Sequence, residues 1–231
     1  MKVVFVGPSL PDAAALAAAW PDAGIEIRPP ARRGDLRRAV EDGARAIGLV
    51  DGYFDEVPSV WHKEILLALS RGIPVLGAAS LGALRAVECE AYGMRGIGRI
   101  FEAYRGGHRV DDGDVALSHG PAELGYPALS VPLVTVDATL AAAQAAGAID
   151  AREAALVALA ARAVYFKERS WRRIAEQLDA TRIQLMQRIL PHAVDPKRED
   201  ALTLLNELAL KRSAFNQGLV DWTLQVLPEP D

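Results

Sequence analysis

Short apolar runs at residues 3–6, 25–27 and 46–50, and a further run opening at Ile73, alternate with helix-period segments over about 90 residues, which dictates a parallel sheet covered by helices on both faces. Helix starts are marked by Pro11-Asp12, by Asp35 and by Pro58-Ser59, and Gly43 and Gly72 close the second and third helices. In the third, Trp61, Ile65 and Leu69 recur at i, i+4, i+8. Ala46-Ile47-Gly48-Leu49-Val50 does not alternate, as expected of a strand buried on both faces. Past Gly93 the pattern loosens, and Val115-Ala116-Leu117-Ser118 reads as a fifth strand. From about Val131 strand signals cease, and 135–147, 150–167, 170–178, 181–190 and 195–210 read as helices. The expectation is an α/β core over residues 1–125, of Rossmann-like or flavodoxin-like layering, with an α-helical carboxy-terminal region over 126–231.

A net charge of -4 argues against a nucleic-acid binder, because phosphate contacts need a concentrated basic surface. Cys89, the one cysteine, cannot form an internal disulfide, and no apolar run is long enough to span a membrane. The opening Met1–Val6 run is too short for a signal peptide, so a cytoplasmic location is expected. The glycine fingerprint of dinucleotide sites and the P-loop are both absent, so no cofactor is expected.

The chemistry centres on the changeover at Ser80. Gly77, Ala78, Ala79 and Gly82 keep side chains off a tight corner, and Ala78-x-Ser80-x-Gly82 is a relaxed form of the Gly-x-Ser-x-Gly elbow. A serine between strand and helix is also an ordinary N-cap. Ligands of open parallel sheets bind outside the carboxyl ends of the strands, which here bear Gly7-Pro8-Ser9, Asp51-Gly52-Tyr53-Phe54, Ala79-Ser80-Leu81-Gly82 and Ser118-His119-Gly120. One cleft is expected to contain all four. His62 and Lys63 open the helix behind the Asp51 loop, where a histidine is biased toward its neutral form. Ser80, His62 and Asp51 have the residue types for acyl-group attack, with His119 as competing base and Ser9, Lys63 and Arg85 as anion binders. Arg85 has an alternative use in an i,i+3 pair with Glu88. Asp111-Asp112-Gly113-Asp114 lacks the ligand spacing of a calcium loop, and no metal is expected. Cys89 lies between two glutamates, which raises a thiol pKa. Basic clusters at Arg28 to Arg38 and at Lys167 to Arg188 read as solvated faces or as contacts for an acidic protein.

Taken in order, Gly7-Pro8-Ser9, Asp51-Gly52-Tyr53-Phe54, Trp61-His62-Lys63-Glu64-Ile65-Leu66, the block from Gly77 to Ala86, Gly93-Met94-x-Gly96-Ile97-Gly98 and the stretch from Asp111 to His119 resemble the TfuA-like proteins. The resemblance implies a helper of a YcaO-type ATP-dependent enzyme, which replaces a peptide backbone oxygen by sulfur. The helper would supply sulfur by hydrolysing the thiocarboxylate of a ubiquitin-like sulfur-carrier protein. Ser80 with the N–H groups of Leu81 and Gly82, plus His62 and Arg85, offers the groups such a hydrolysis needs. The alternatives are a non-catalytic module that recruits or activates the YcaO enzyme and a general small-molecule hydrolase. A homo-oligomer is compatible with each.

Overall fold

The computed structural model describes residues 1–53, 57–178, 182–210 and 222, with the backbone alone at 182 and 183. Its centre is a five-stranded, wholly parallel sheet: β1 (Lys2–Phe5), β2 (Ile25–Arg28), β3 (Ala46–Leu49), β4 (Val75–Ala78) and β5 (Arg95–Ile97), in the order β2-β1-β3-β4-β5. This is the flavodoxin-like order, and the chain direction across the sheet switches between β1 and β3. The helices α1 (Ala13–Ala18), α2 (Asp35–Glu41), α3 (His62–Ser70), α4 (Leu81–Cys89) and α5 (Gly98–Arg105) follow the successive strands.

Residues along each strand feed opposite faces. Val3, Phe5, Ile47, Leu49 and Val75 pack under α2, α3, α4 and α5, whereas Val4, Val6, Ala46, Leu76 and Ala78 face the other way. Both faces are dry, so the central strands carry no polar alternation.

The fifth strand is Arg95–Ile97, and the expectation of a strand at 115–118 is corrected. Leu76, Gly77 and Ala78 pair with Arg95, Gly96 and Ile97, completing a β-α-β unit directly after α4. Around Ser118 the backbone bonds locally instead: its N–H donates to Ser130 Oγ (2.8 Å) and its carbonyl accepts from Leu129 N (2.8 Å). Val115 carbonyl is taken by a lysine discussed below.

The remaining helices are α6 (Leu133–Ala145), α7 (Ala151–Ala163), α8 (Trp171–Glu176), α9 (Arg182–Ile189) and α10 (Pro196–Leu210). Helices α6 to α9 share a separate cluster that includes Leu140, Val157, Ile174 and Ile189. Helix α7 ends four residues earlier than its pattern suggests, because Val164 is extended and buried Arg169 binds the carbonyls of Ala161 (2.9 Å) and Val164 (3.0 Å). Thr181, the expected start of α9, lies outside the described residues.

Helix α10 returns to the sheet. Ala201, Leu204, Leu205 and Leu208 cover the face that α1 leaves open, and Gly48 in β3 makes room for them, since a Cβ there would stand 2.7 Å from Leu204 Cδ2. Asp200 locks the packing by accepting from Arg99 N (3.0 Å) and Ile100 N (2.9 Å) at the start of α5. Burial pushes the Asp200 carboxyl up to about 6 against those two donors.

Two outcomes follow from these contacts. An alanine at Gly82 would put its Cβ 1.8 Å from the Leu49 carbonyl oxygen, so Gly82→Ala is expected to lower stability by more than about 3 kcal/mol in denaturant unfolding. Asp200 binds its proton at higher pH in the native state than at the ordinary value of 3.8, so its contribution to stability rises as pH falls from 7 through 6 toward 4. The span is on the order of 1–3 kcal/mol, and Asp200→Asn should remove that slope from the pH dependence of unfolding.

Candidate active site

Asp51 follows β3 beside the switch in strand order and organises the loops around it. Its Oδ2 accepts from Gly7 N and Ser9 N, each at 2.9 Å, and its Oδ1 accepts from Ser9 Oγ at 2.6 Å. Its own carbonyl takes the Ala31 N–H (2.9 Å), so the loops after β1 and β2 are tied to the end of β3. Asp51 and Ser9 are both buried. The Ser9 hydroxyl, expected to bind an anion, is committed to this carboxylate.

Ser80 follows β4 through a tight corner. Ala79 takes φ +65°, and Ser80 N bonds back to Ala78 O at 2.8 Å, closing a γ-turn. The left-handed residue is therefore Ala79, one position before the serine. Ser80 carbonyl accepts from Ala83 N, but its hydroxyl forms no capping bond and lines a cavity of about 140 Å³. The Gly82 N–H is not available as an oxyanion donor, because it bonds Val50 O at 3.1 Å. Leu81 N–H has no acceptor among the described residues, and Leu81 does not line the cavity.

All four expected stretches contribute to that cavity, through Pro8, through Asp51 with Gly52 and Tyr53, through Ser80, and through Ser118 with His119. Phe54 lies outside the described residues. His119 Nδ1 is 2.8 Å from Gly120 O, and a carbonyl only accepts, so Nδ1 carries hydrogen and Nε2 holds the lone pair of the neutral ring. The imidazole stands between Tyr53 (5.9 Å between ring centres) and Tyr126 (5.5 Å). Tyr126 is held at φ +58°, and burial, with Tyr53 and Glu123 nearby, raises its phenol pKa.

His62, Lys63 and Arg85 belong to a different cluster. His62 Nε2 is 2.8 Å from Glu88 Oε2, and the same oxygen accepts from Arg85 at 2.5 Å, while Arg85 Nε donates to Val60 O at 3.1 Å. Lys63 is exposed. None of the three lines the cavity, so Ser80, His62 and Asp51 do not assemble as a triad: the histidine is held by Glu88 and the aspartate by Ser9 and Gly7.

The residue that sequence reasoning missed is Lys197. It is fully buried, lines the cavity from α10, and donates from Nζ to Val115 O at 3.0 Å. Burial lowers its pKa, with the Asp51 and Asp195 charges opposing. It sits among Lys197-Arg198-Glu199-Asp200, which reads as a solvated helix start. The available signal was its register: Lys197, Ala201, Leu204, Leu205 and Leu208 fall on one helical stripe.

Other candidates resolve as structure. Asp111 caps its own turn through Gly113 N (2.8 Å), and Asp114 pairs with Arg109 (2.6 Å). Cys89 is buried, and burial, then Glu88, pushes its thiol up to about 11. Among the described residues no group of His, Cys, Asp and Glu is arranged to hold a metal, and no helix is long and apolar enough to cross a membrane. Arg28 pairs with Glu26 and Asp42, Arg38 with Asp35, and Arg172 and Arg173 with Glu176, so much of the basic clusters is neutralised locally. Arg33 stacks on Trp61.

Fold and cavity together define a flavodoxin-like α/β protein with a small polar site at the carboxyl ends of its strands. Residues 51–170, more than half of the chain, match the family model for TfuA-like protein, and the chain belongs to that family. The match contains Asp51, Ser80 and His119 and leaves out Ser9 and Lys197. No curated protein matches the sequence.

The Asp51 clamp has a measurable consequence. Asp51→Ala leaves three buried donors without their acceptor and is expected to lower stability by about 3–5 kcal/mol in urea unfolding. Asp51→Asn, which keeps one acceptor oxygen, should recover part of the loss.

Proposed function

We propose that this chain releases sulfur for thioamide formation by hydrolysing the thiocarboxylated end of a ubiquitin-like sulfur-carrier protein, with Ser80 as nucleophile and His119 as base. The family supports an accessory role in thioamide formation beside a YcaO-type enzyme. The observation that carries the finer reading is that an uncapped serine hydroxyl and a histidine with its Nδ1 already bonded face one small cavity at the sheet's carboxyl edge.

The chemistry balances without a cofactor. His119 Nε2 takes the Ser80 proton as Oγ attacks the thiocarboxylate carbon. The C–S bond then breaks, and hydrosulfide leaves with that proton, forming an acyl ester on Ser80. Water, deprotonated by the same imidazole, cleaves the ester, giving the carrier's carboxylate and restoring the serine, with one proton released to solvent. A non-catalytic module that recruits or activates the YcaO enzyme is the second reading. It is favoured by the Gly82 N–H being committed to Val50 and by the absence of a carboxylate on His119 among the described residues.

Sulfide release from a thiocarboxylated carrier separates the two. Folded Ser80→Ala and His119→Ala variants are expected to lose roughly 10²- to 10⁴-fold in rate, with His62→Ala near wild type. Full release by Ser80→Ala, or none by the wild type, would leave the binding module as the function.

A further inference from the structure

A second cavity, of about 370 Å³, opens at the carboxyl end of β2 and shares only Pro30 and Tyr53 with the one that holds Ser80. We infer that it is a binding site for a nucleoside monophosphate, with Arg28, Arg32 and Arg38 on the phosphate and Tyr53 and Tyr126 against the base. Asp35 is the one carboxylate on its wall among the described residues, and it is already spent: Oδ2 accepts from Arg32 N (3.0 Å) and Oδ1 from Arg38 Nη1 (3.2 Å). The Arg32 guanidinium stands 3.9 Å from that carboxylate, beyond hydrogen-bond reach. Arg28 is fixed by Glu26 at Nε (2.7 Å) and Asp42 at Nη2 (2.8 Å), and its Nη1 has no acceptor among the described residues. From Glu26 to Arg45 six arginines stand against four carboxylates, an excess of positive charge in a chain whose net charge is -4.

The loop after β2 explains why the anion must be taken by guanidinium groups. Pro29 and Pro30 have no N–H, and the N–H groups of Ala31, Arg32, Arg33 and Gly34 go to Asp51 O, Asp35 Oδ2, Pro58 O and Glu64 Oε2. No backbone cradle is left for a phosphate, which is why no glycine-rich loop marks the site in the sequence. Arginine forks supply the charge-assisted donors instead. The other side of the cavity is aromatic. Tyr126 packs over the backbone of Gly7, where a Cβ would stand 3.3 Å from its ring, and Glu123 near it does not line the cavity. A flat base has two rings to lie against, and the volume falls within the roughly 300–1,000 Å³ of small-molecule sites. The place fits too, because the end of β2 in open parallel sheets is where a nucleotide's ribose or its phosphate is read. Nothing in this site depends on the hydrolytic reading of Ser80 and His119.

Calorimetric titration of the whole chain with AMP, adenosine, inorganic phosphate and a short glutamate-rich peptide, at matched ionic strength, tests the assignment. AMP is expected to bind more tightly than adenosine or phosphate alone. The double variant Arg32→Ala/Arg38→Ala, which removes two exposed guanidinium groups, should weaken AMP by at least about tenfold. Tyr126→Leu should weaken AMP by at least about fivefold and leave phosphate unchanged. No saturable binding of AMP up to about 10 mM, equal affinity in the arginine double variant, or tighter binding of phosphate or of the peptide would overturn it. Should a variant not fold, the amide resonances of the labelled wild type decide. Shifts on adding AMP that centre on residues 28–38 and 126 support the site, and shifts confined to the Ser80 and Ser118 loops, or none, overturn it.

Discussion

Three donors from the loop after β1 converge on the carboxylate of Asp51, and the site is built around that convergence. The switch in strand order opens a crevice between β1 and β3, where backbone groups at the strand ends have lost their sheet partners. Gly7 N, Ser9 N and Ser9 Oγ find one acceptor there, and Ala31 N finds the carbonyl of the same residue. A buried carboxylate is tolerable because its oxygens are saturated by donors. In turn it fixes Pro8, Gly52 and Tyr53 as cavity walls.

A second constraint closes the crevice from the opposite end of the sequence. Helix α10 supplies the apolar cover for one sheet face and carries Lys197 to the cavity on the same stripe. The Lys197 bond to Val115 O reaches the segment that leads to His119, while Asp200 grips the start of α5. Packing, cavity lining and placement of the histidine-bearing segment thus depend on one helix. The matched family segment ends at residue 170, before that helix begins.

How much was legible in the sequence follows from the same physics. Strands β3 and β4 are buried on both faces, so their apolar runs announce them. β5 is three residues at a sheet edge, with Arg95 reaching Glu207 at 3.2 Å and a glycine at its centre, which leaves little pattern to read. Loops at the ends of β1, β3 and β4 could be listed as site material because parallel topology dictates where ligands bind, whereas His119 was listed as the end of a strand at 115–118 that the structure replaces with local backbone bonding. His62 was drawn in by its place on a helix N-terminus, a local argument that cannot foresee Glu88 on the adjacent helix taking its Nε2. Lys197 is the reverse case: its place on the cavity wall is set by a long-range return that no local pattern encodes, and only its apolar register hinted at burial.

The corner before Ser80 shows why these pieces belong together. A residue other than glycine in the left-handed region costs on the order of 1–3 kcal/mol and persists only where its surroundings over-determine it. Ala79 is fully buried among the residues packed by α10, and Gly77 and Gly82 approach so closely that a Cβ on Gly77 would lie 2.1 Å from the Gly82 carbonyl oxygen. Strand, helix and C-terminal cover together hold the turn. With Ala79 in that turn, Ser80 starts α4 without folding its hydroxyl back as a cap. An ordinary N-cap serine would turn its hydroxyl oxygen back to accept from a helix N–H, and this one keeps it on the cavity wall that also carries a histidine oriented by a backbone carbonyl and a buried lysine.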